Sequence, residues 1–200
     1  MKNCKRILTT LVIFIFIIST MAVQTLADSD LLIPSNLQVT AASNTVTLTW
    51  DAVPGAEQYY IAEVGIQSFT VDAPATSYTV TGLQPGTSYS FRVMAVNSSG
   101  NSDWCDPVAV TTIPAIPSNL QVTAACNAVT LTCDAVPGAE QYYIAKVGIQ
   151  SFTVDAPATS YTVTGLQPGT SYSFCVMAVN SSGNSDWCDP VTVTTVQQVE

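Results

Sequence analysis

Histidine is missing from the chain altogether, and bases of any kind are scarce. Without an imidazole there is no commonest general base, metal ligand or physiological pH switch. No Ser/His or Cys/His dyad can be drawn, and no zinc-spaced Cys/His set exists. No glycine-rich phosphate loop follows a strand pattern. Of five Lys and Arg, three (Lys2, Lys5 and Arg6) sit at the very start, leaving Arg92 and Lys146 beyond residue 27 against 14 acids, a formal −12. A surface that acidic repels nucleic acid and anionic membranes, so neither is expected as a partner. The carboxylates at Asp51, Glu57, Asp72, Asp103 and Asp106 fall on separate strands and turns. They read as solvated charge, not as a paired acid/base site, and Asp103 with Asp106 lacks the loop spacing of a calcium site. No enzyme, metal or cofactor is expected. Helical periodicity is also absent beyond the N-terminal segment.

That segment, residues 1–27, reads as a secretory signal peptide. Lys2, Lys5 and Arg6 form a charged start, Ile7 to Ile18 an apolar run, and Thr25-Leu26-Ala27 a small-residue cleavage site. An uncleaved anchor is the alternative, because the run approaches the lower bound of about 17 residues for a span. Cys4 precedes the apolar run and so cannot be a lipoprotein cysteine. The expected location is secreted or extracellular, in association with a cell surface or free, with no membrane contact after cleavage.

What is present is an internal repeat. Pro34 to Thr112 recurs as Pro117 to Thr195 with six differences: Ser43/Cys126, Thr45/Ala128, Trp50/Cys133, Glu63/Lys146, Arg92/Cys175 and Ala109/Thr192. A unit of this length can bury a small core of its own, unlike a solenoid repeat. Two domains are therefore expected, at 34–113 and 117–196, joined by Ile113-Pro114-Ala115-Ile116. Prolines at 114 and 117 stiffen that link.

Each unit carries seven strand signals. In the first these centre on Leu37/Val39, Val46/Leu48/Trp50, Tyr59/Ile61, Ser68–Val71, Tyr78/Val80, Tyr89–Val96 and Val108/Val110. The apolar residues alternate with polar ones, and Pro-Gly turns separate the runs. The pattern predicts an all-β chain of two seven-stranded sandwiches. Gly82-Leu83-Gln84-Pro85-Gly86 followed by Tyr89 resembles the tyrosine corner of the immunoglobulin-like fibronectin type III family, in its bacterial, secreted style. Trp50-Asp51-Ala52-Val53-Pro54-Gly55 is similar to the end of that family's second strand, which closes on a buried Trp. The resemblance implies a non-enzymatic spacer or interaction module. An adhesion module that binds carbohydrate or protein through the loops before strand seven is the alternative, which makes extracellular protein or polysaccharide the candidate partners.

Those loops supply the candidate site. Asn101, Asp103 and Trp104, with their twins Asn184, Asp186 and Trp187, are the aromatic-plus-polar set that stacks on a sugar. Counting back by twos from Val110 turns Trp104 inward instead, as a lid on the core. The same parity turns Cys175 and Cys188 outward on neighbouring strands, where they form a candidate disulfide, and points Cys133 into the core away from both. Five cysteines follow residue 27, an odd number. Cys105, read as outward and facing Arg92, is the candidate for a disulfide-linked dimer. The chain fits either a complete small protein or a piece of a larger one.

Overall fold

The computed structural model describes residues 31–63, 67–146 and 150–198. The signal-peptide reading of 1–27 lies outside the described residues. The described residues contain strands and turns and no helix, so none is long and apolar enough to cross a membrane.

In the first repeat β1 (Gln38–Ala41), β2 (Thr45–Thr49) and β5 (Ser77–Thr81) form one antiparallel sheet in the order β1-β2-β5. The second sheet holds β4 (Gln67–Asp72), β3 (Gln58–Glu63) and β6 (Ser88–Asn97), with β7 (Gly100–Asn101) and β8 (Val108–Thr111) both paired to β6. The second repeat copies this arrangement. Its β9 (Gln121–Ala124), β10 (Ala128–Thr132) and β13 (Ser160–Thr164) make one sheet. Its β11 (Gln141–Lys146), β12 (Gln150–Asp155), β14 (Ser171–Asn180), β15 (Gly183–Asn184) and β16 (Val191–Thr194) make the other. All seven strand signals materialise in each unit. The two-residue strands β7 and β15 are additional, because a glycine-bearing dipeptide carries no alternation to detect.

The core lies between the sheets and follows the period-two pattern. Val46 and Leu48 of β2, Tyr59 and Ile61 of β3, and Phe91, Val93 and Ala95 of β6 are buried together with Trp50 and Leu83. The Trp50 ring meets that of Tyr59 edge-on, with centroids 5.3 Å apart, a favoured aromatic geometry. Tyrosine hydroxyls pin the turns: Gln84 N–H donates to the Tyr89 hydroxyl (2.8 Å) and Val53 N–H to that of Tyr59 (2.8 Å). At the foot of the domain Thr112 is fully buried. Its hydroxyl donates to Gln84 O (2.7 Å) and accepts from Thr87 N–H (3.0 Å), locking the Pro85-Gly86 turn to the end of β8.

The joint between the repeats is short and packed. Pro114 is fully buried. Asn180 of the second repeat is buried and donates through Nδ2 to Thr112 O of the first (2.9 Å). The Pro85-Gly86 turn abuts Pro137-Gly138, so closely that a methyl group on either glycine would run into the other turn's backbone. Both glycines also have positive φ (62° and 67°), a conformation that a side chain disfavours.

Candidate functional site

The candidate loop begins where β6 ends. Asn97 Oδ1 accepts from Ser99 N–H (2.8 Å) and Gly100 N–H (3.1 Å), and its amide donates to Gly55 O (3.1 Å). This side chain bonding to its own backbone reverses the chain tightly, and β7 returns against β6 with Val96 opposite Asn101. The following residues leave the ladder without losing their hydrogen bonds. Ser102 N–H donates to Ala95 O (2.9 Å) and its buried hydroxyl accepts from Ala95 N–H (3.0 Å). Cys105 N–H donates to Val93 O (2.9 Å), and its sulfur accepts from Val93 N–H (3.1 Å).

These bonds reverse two expectations. Cys105 is buried and joins the core, whereas Trp104 lies on the outer face of the sheet. There the guanidinium of Arg92 sits over its ring, 4.6 Å from the centroid. The parity count from Val110 failed because Asp106-Pro107 interrupts the strand. Residues 102–105 then take their phase from Val93 and Ala95 of β6, not from β8. Burial pushes the Cys105 thiol above its ordinary value, against a lowering by the Val93 N–H.

The second repeat repeats the loop with a different outcome. Cys175 replaces Arg92, so no guanidinium covers Trp187, which is 42% exposed. Asn101, Asp103, Asn184 and Asp186 are all exposed. Each tryptophan thus stands on the outer sheet face near its loop carboxylate, with no hydrogen-bonded cage assembled around it among the described residues. Beside Trp104 a cleft of about 450 Å3 runs between the loop and the chain entering the domain, lined by Ile33, Asn36, Cys105 and Asp106 among others. That volume is in the range of small-ligand sites.

The cysteine geometry also differs from expectation. Cys188, the twin of Cys105, packs against the core, and its sulfur accepts from Val176 N–H (3.2 Å). Cys175 stays on the outer face between buried Phe174 and Val176, so the two do not face the same side of the sheet. All five described cysteines are free. Cys133, expected to lie out of reach, packs on the same core as Cys188. Burial raises the thiol pKa at Cys133 and at Cys175, with Cys188 adding to both. Among the described cysteines Cys126 alone is exposed, in the turn between β9 and β10. Sequence reasoning missed Ser102, Thr112 and Asn97 as organisers. Their short polar side chains show no periodicity, and the one available signal was Asn97 preceding Ser-Ser-Gly.

The profile of the family described as "Fibronectin type III domain" matches residues 32–111 and again 115–194. Among curated proteins, the tail tube protein gp17.1* of Bacillus phage SPP1 is 38% identical over 41% of this chain and 31% of its own length. Chitinase A1 of Niallia circulans is 30% identical over 76% of this chain and 24% of its own length. The chain thus spans a third or less of either relative. A two-domain fibronectin type III segment from chicken tenascin superposes with a TM-score of 0.51 at 20% identity, covering 81% of this chain and 99% of the segment. That likeness concerns the fold alone.

Proposed function

The chain belongs to the fibronectin type III family, with two of its domains in tandem, and on that premise we propose that it serves outside the cell, or at its surface, as a non-enzymatic spacer and interaction module. The module is generally non-catalytic; where it occurs in a chitinase it covers a minor part of that protein. The observation that supports the spacer role is the joint. Buried Pro114, the Asn180–Thr112 hydrogen bond and the abutting Gly86 and Gly138 turns restrict bending between the domains. A spacer transmits distance only when its joint resists collapse. Small-angle scattering of the full chain tests this. A single maximum dimension, unchanged by salt, is expected; a broad distribution of dimensions would sink the reading.

One observation favours binding of carbohydrate or protein by the loops before the last strand: the uncovered indole of Trp187 beside exposed Asp186. Indole faces stack on apolar sugar faces and anchor protein interfaces. A glycan and matrix-protein array separates the two. Signal that disappears in Trp187→Ala assigns the loop a ligand, and silence across the array leaves the spacer.

A further inference from the structure

The joint brings together unlike surfaces, the foot of the first repeat and the head of the second. Gly86, Thr112 and Ile113 supply the foot; Gly138, Asn180 and Gly183 supply the head. The foot recurs on the second repeat as Gly169, Thr195 and Val196, and the head on the first as Gly55, Asn97 and Gly100. Val196 for Ile113 is the one change among these six positions, and none of the six is charged.

The hydrogen bonds at the outer ends differ from those at the joint in a matched way. At the joint, Asn180 Nδ2 donates to Thr112 O (2.9 Å) and Gly86 N–H to Ile113 O (3.2 Å). At the outer head, the amide of Asn97 folds back on Gly55 O (3.1 Å). At the outer foot, Gly169 N–H takes Thr195 O instead (3.2 Å). Bringing the two outer ends together breaks these two bonds and makes two of the joint's kind, so no polar group is stranded. The gain is apolar burial. Val196 is 49% exposed, whereas Ile113 is half-buried, so near Gly183 that a methyl group there would crowd it. Covalent continuity is not required. One copy supplies the chain as far as Val196, and the other supplies it from Leu31, which stands beside Gly55 in the place of Pro114. Only the flexible side chain of exposed Gln197, which lies over Gly169, must swing aside.

We propose that the foot of the second repeat is a docking surface for the head of the first repeat of another copy of this chain, so that copies string together head to tail. A contact between unlike surfaces that does not close on itself propagates. The inference rests on the same joint as the spacer reading. The contact is small and lacks the linker that holds the joint at an effective concentration in the millimolar range, so a Kd on the order of 1 mM is expected.

The test uses reduced residues 28–200 at about 0.02–2 mM in about 0.3 M salt, which screens the acidic surface. Sedimentation equilibrium should show the weight-average mass rising with concentration, to about two- to threefold at the top of the range. Val196→Asp blocks the foot and Pro54→Glu the head, whose twin Pro137 abuts Gly86. Both positions are exposed, and unchanged melting checks that the variants fold. Each variant alone should stay at the monomer mass, and their equal mixture should regain association that does not pass twofold. A nitroxide on exposed Cys126 locates the contact. Its twin Ser43 lines the cleft at the joint with Asn184 and Asp186, so the label should broaden the amides of Asn101 and Asp103 on a second, 15N-labelled copy. A constant monomer mass, association retained by either single variant, or broadening confined to the second copy's own foot would each overturn the proposal. A single dimension for the dilute chain together with a constant mass would overturn docking alone; a broad distribution of dimensions would sink the spacer reading with it.

Discussion

The Arg92 guanidinium lies over the Trp104 ring at 4.6 Å, and the same place above Trp187 is empty of charge because Cys175 stands where Arg92 would. One substitution between the copies thus sets the exposure of a tryptophan twelve residues away. Acrylamide quenching resolves this, with Trp50 as the buried reference. Trp187 should be quenched most and Trp50 least. Arg92→Cys should bring Trp104 to the accessibility of Trp187 and cost about 0.5–1 kcal/mol in urea denaturation, the range for a partly exposed cation–π pair. Unchanged quenching of Trp104 in that variant would mean the stack does not persist in solution.

The second domain should be the weaker of the two. Truncating a buried Trp costs about 3–5 kcal/mol, and Cys133 restores little of the lost contact. Calorimetry of the full chain in reducing buffer should show two transitions, the lower belonging to the second domain. Cys133→Trp should close most of the gap. Trp50→Cys in the first domain should produce the same loss. Its unpartnered indole N–H offsets part of the gain from burying the ring, so the lower end of the range is expected.

The fold was legible because Tyr89, Phe91, Val93 and Ala95 alternate without interruption and the Pro-Gly turns bound the strands. The same rule misled at Trp104 and Cys105. Parity holds only while the ladder continues, and Pro107 ends it. From Ser102 onward the side-chain phase is dictated by bonds to Ala95 and Val93, long-range partners that a count along the chain cannot see. Met94 shows a second limit. Its position on β6 points it outward, yet it is buried, because the outer face carries large neighbours, with Tyr60 opposite across the ladder.

The corrected cysteine positions change the expected covalent chemistry. Cys105 is too buried to join two chains, while Cys126 is exposed. Under mild oxidation a disulfide dimer should form, vanish in Cys126→Ser and persist in Cys105→Ser. A maleimide at pH 8 should modify Cys126 well before Cys105, Cys133 or Cys175, whose thiols burial holds in the neutral form.

Raised thiol pKa values also set a pH dependence. Near and above pH 9 the unfolded chain gives up thiol protons that the folded chain keeps at Cys105, Cys133 and Cys175. The unfolded state then binds fewer protons, so stability falls as pH rises through that window and is fully present below it. The urea midpoint should drop between about pH 8 and pH 10, and the drop should be smaller in Cys105→Ala. An equal drop would mean that the buried Cys105 thiol does not carry the effect.

The joint offers the sharpest structural test, because two glycines meet there for different reasons than in an ordinary turn. Gly86 has φ of 62°, and its missing side chain also leaves room for Pro137 of the other domain. Gly82, with φ of 76°, has open space where a methyl group would stand, with nothing within 4 Å. Gly82→Ala therefore carries the backbone penalty alone, about 1 kcal/mol. Gly86→Ala carries that penalty and must also push the domains apart. Both variants should lower the first transition, Gly86→Ala by more than Gly82→Ala. Gly86→Ala alone should broaden the distribution of dimensions in small-angle scattering and weaken the Asn180–Thr112 bond, seen as faster exchange of the neighbouring amides. Asn180→Ala should reproduce the broadening without the backbone penalty. If Gly82→Ala broadened the distribution as much as Gly86→Ala, the close approach at Pro137 would not be what restrains the two domains.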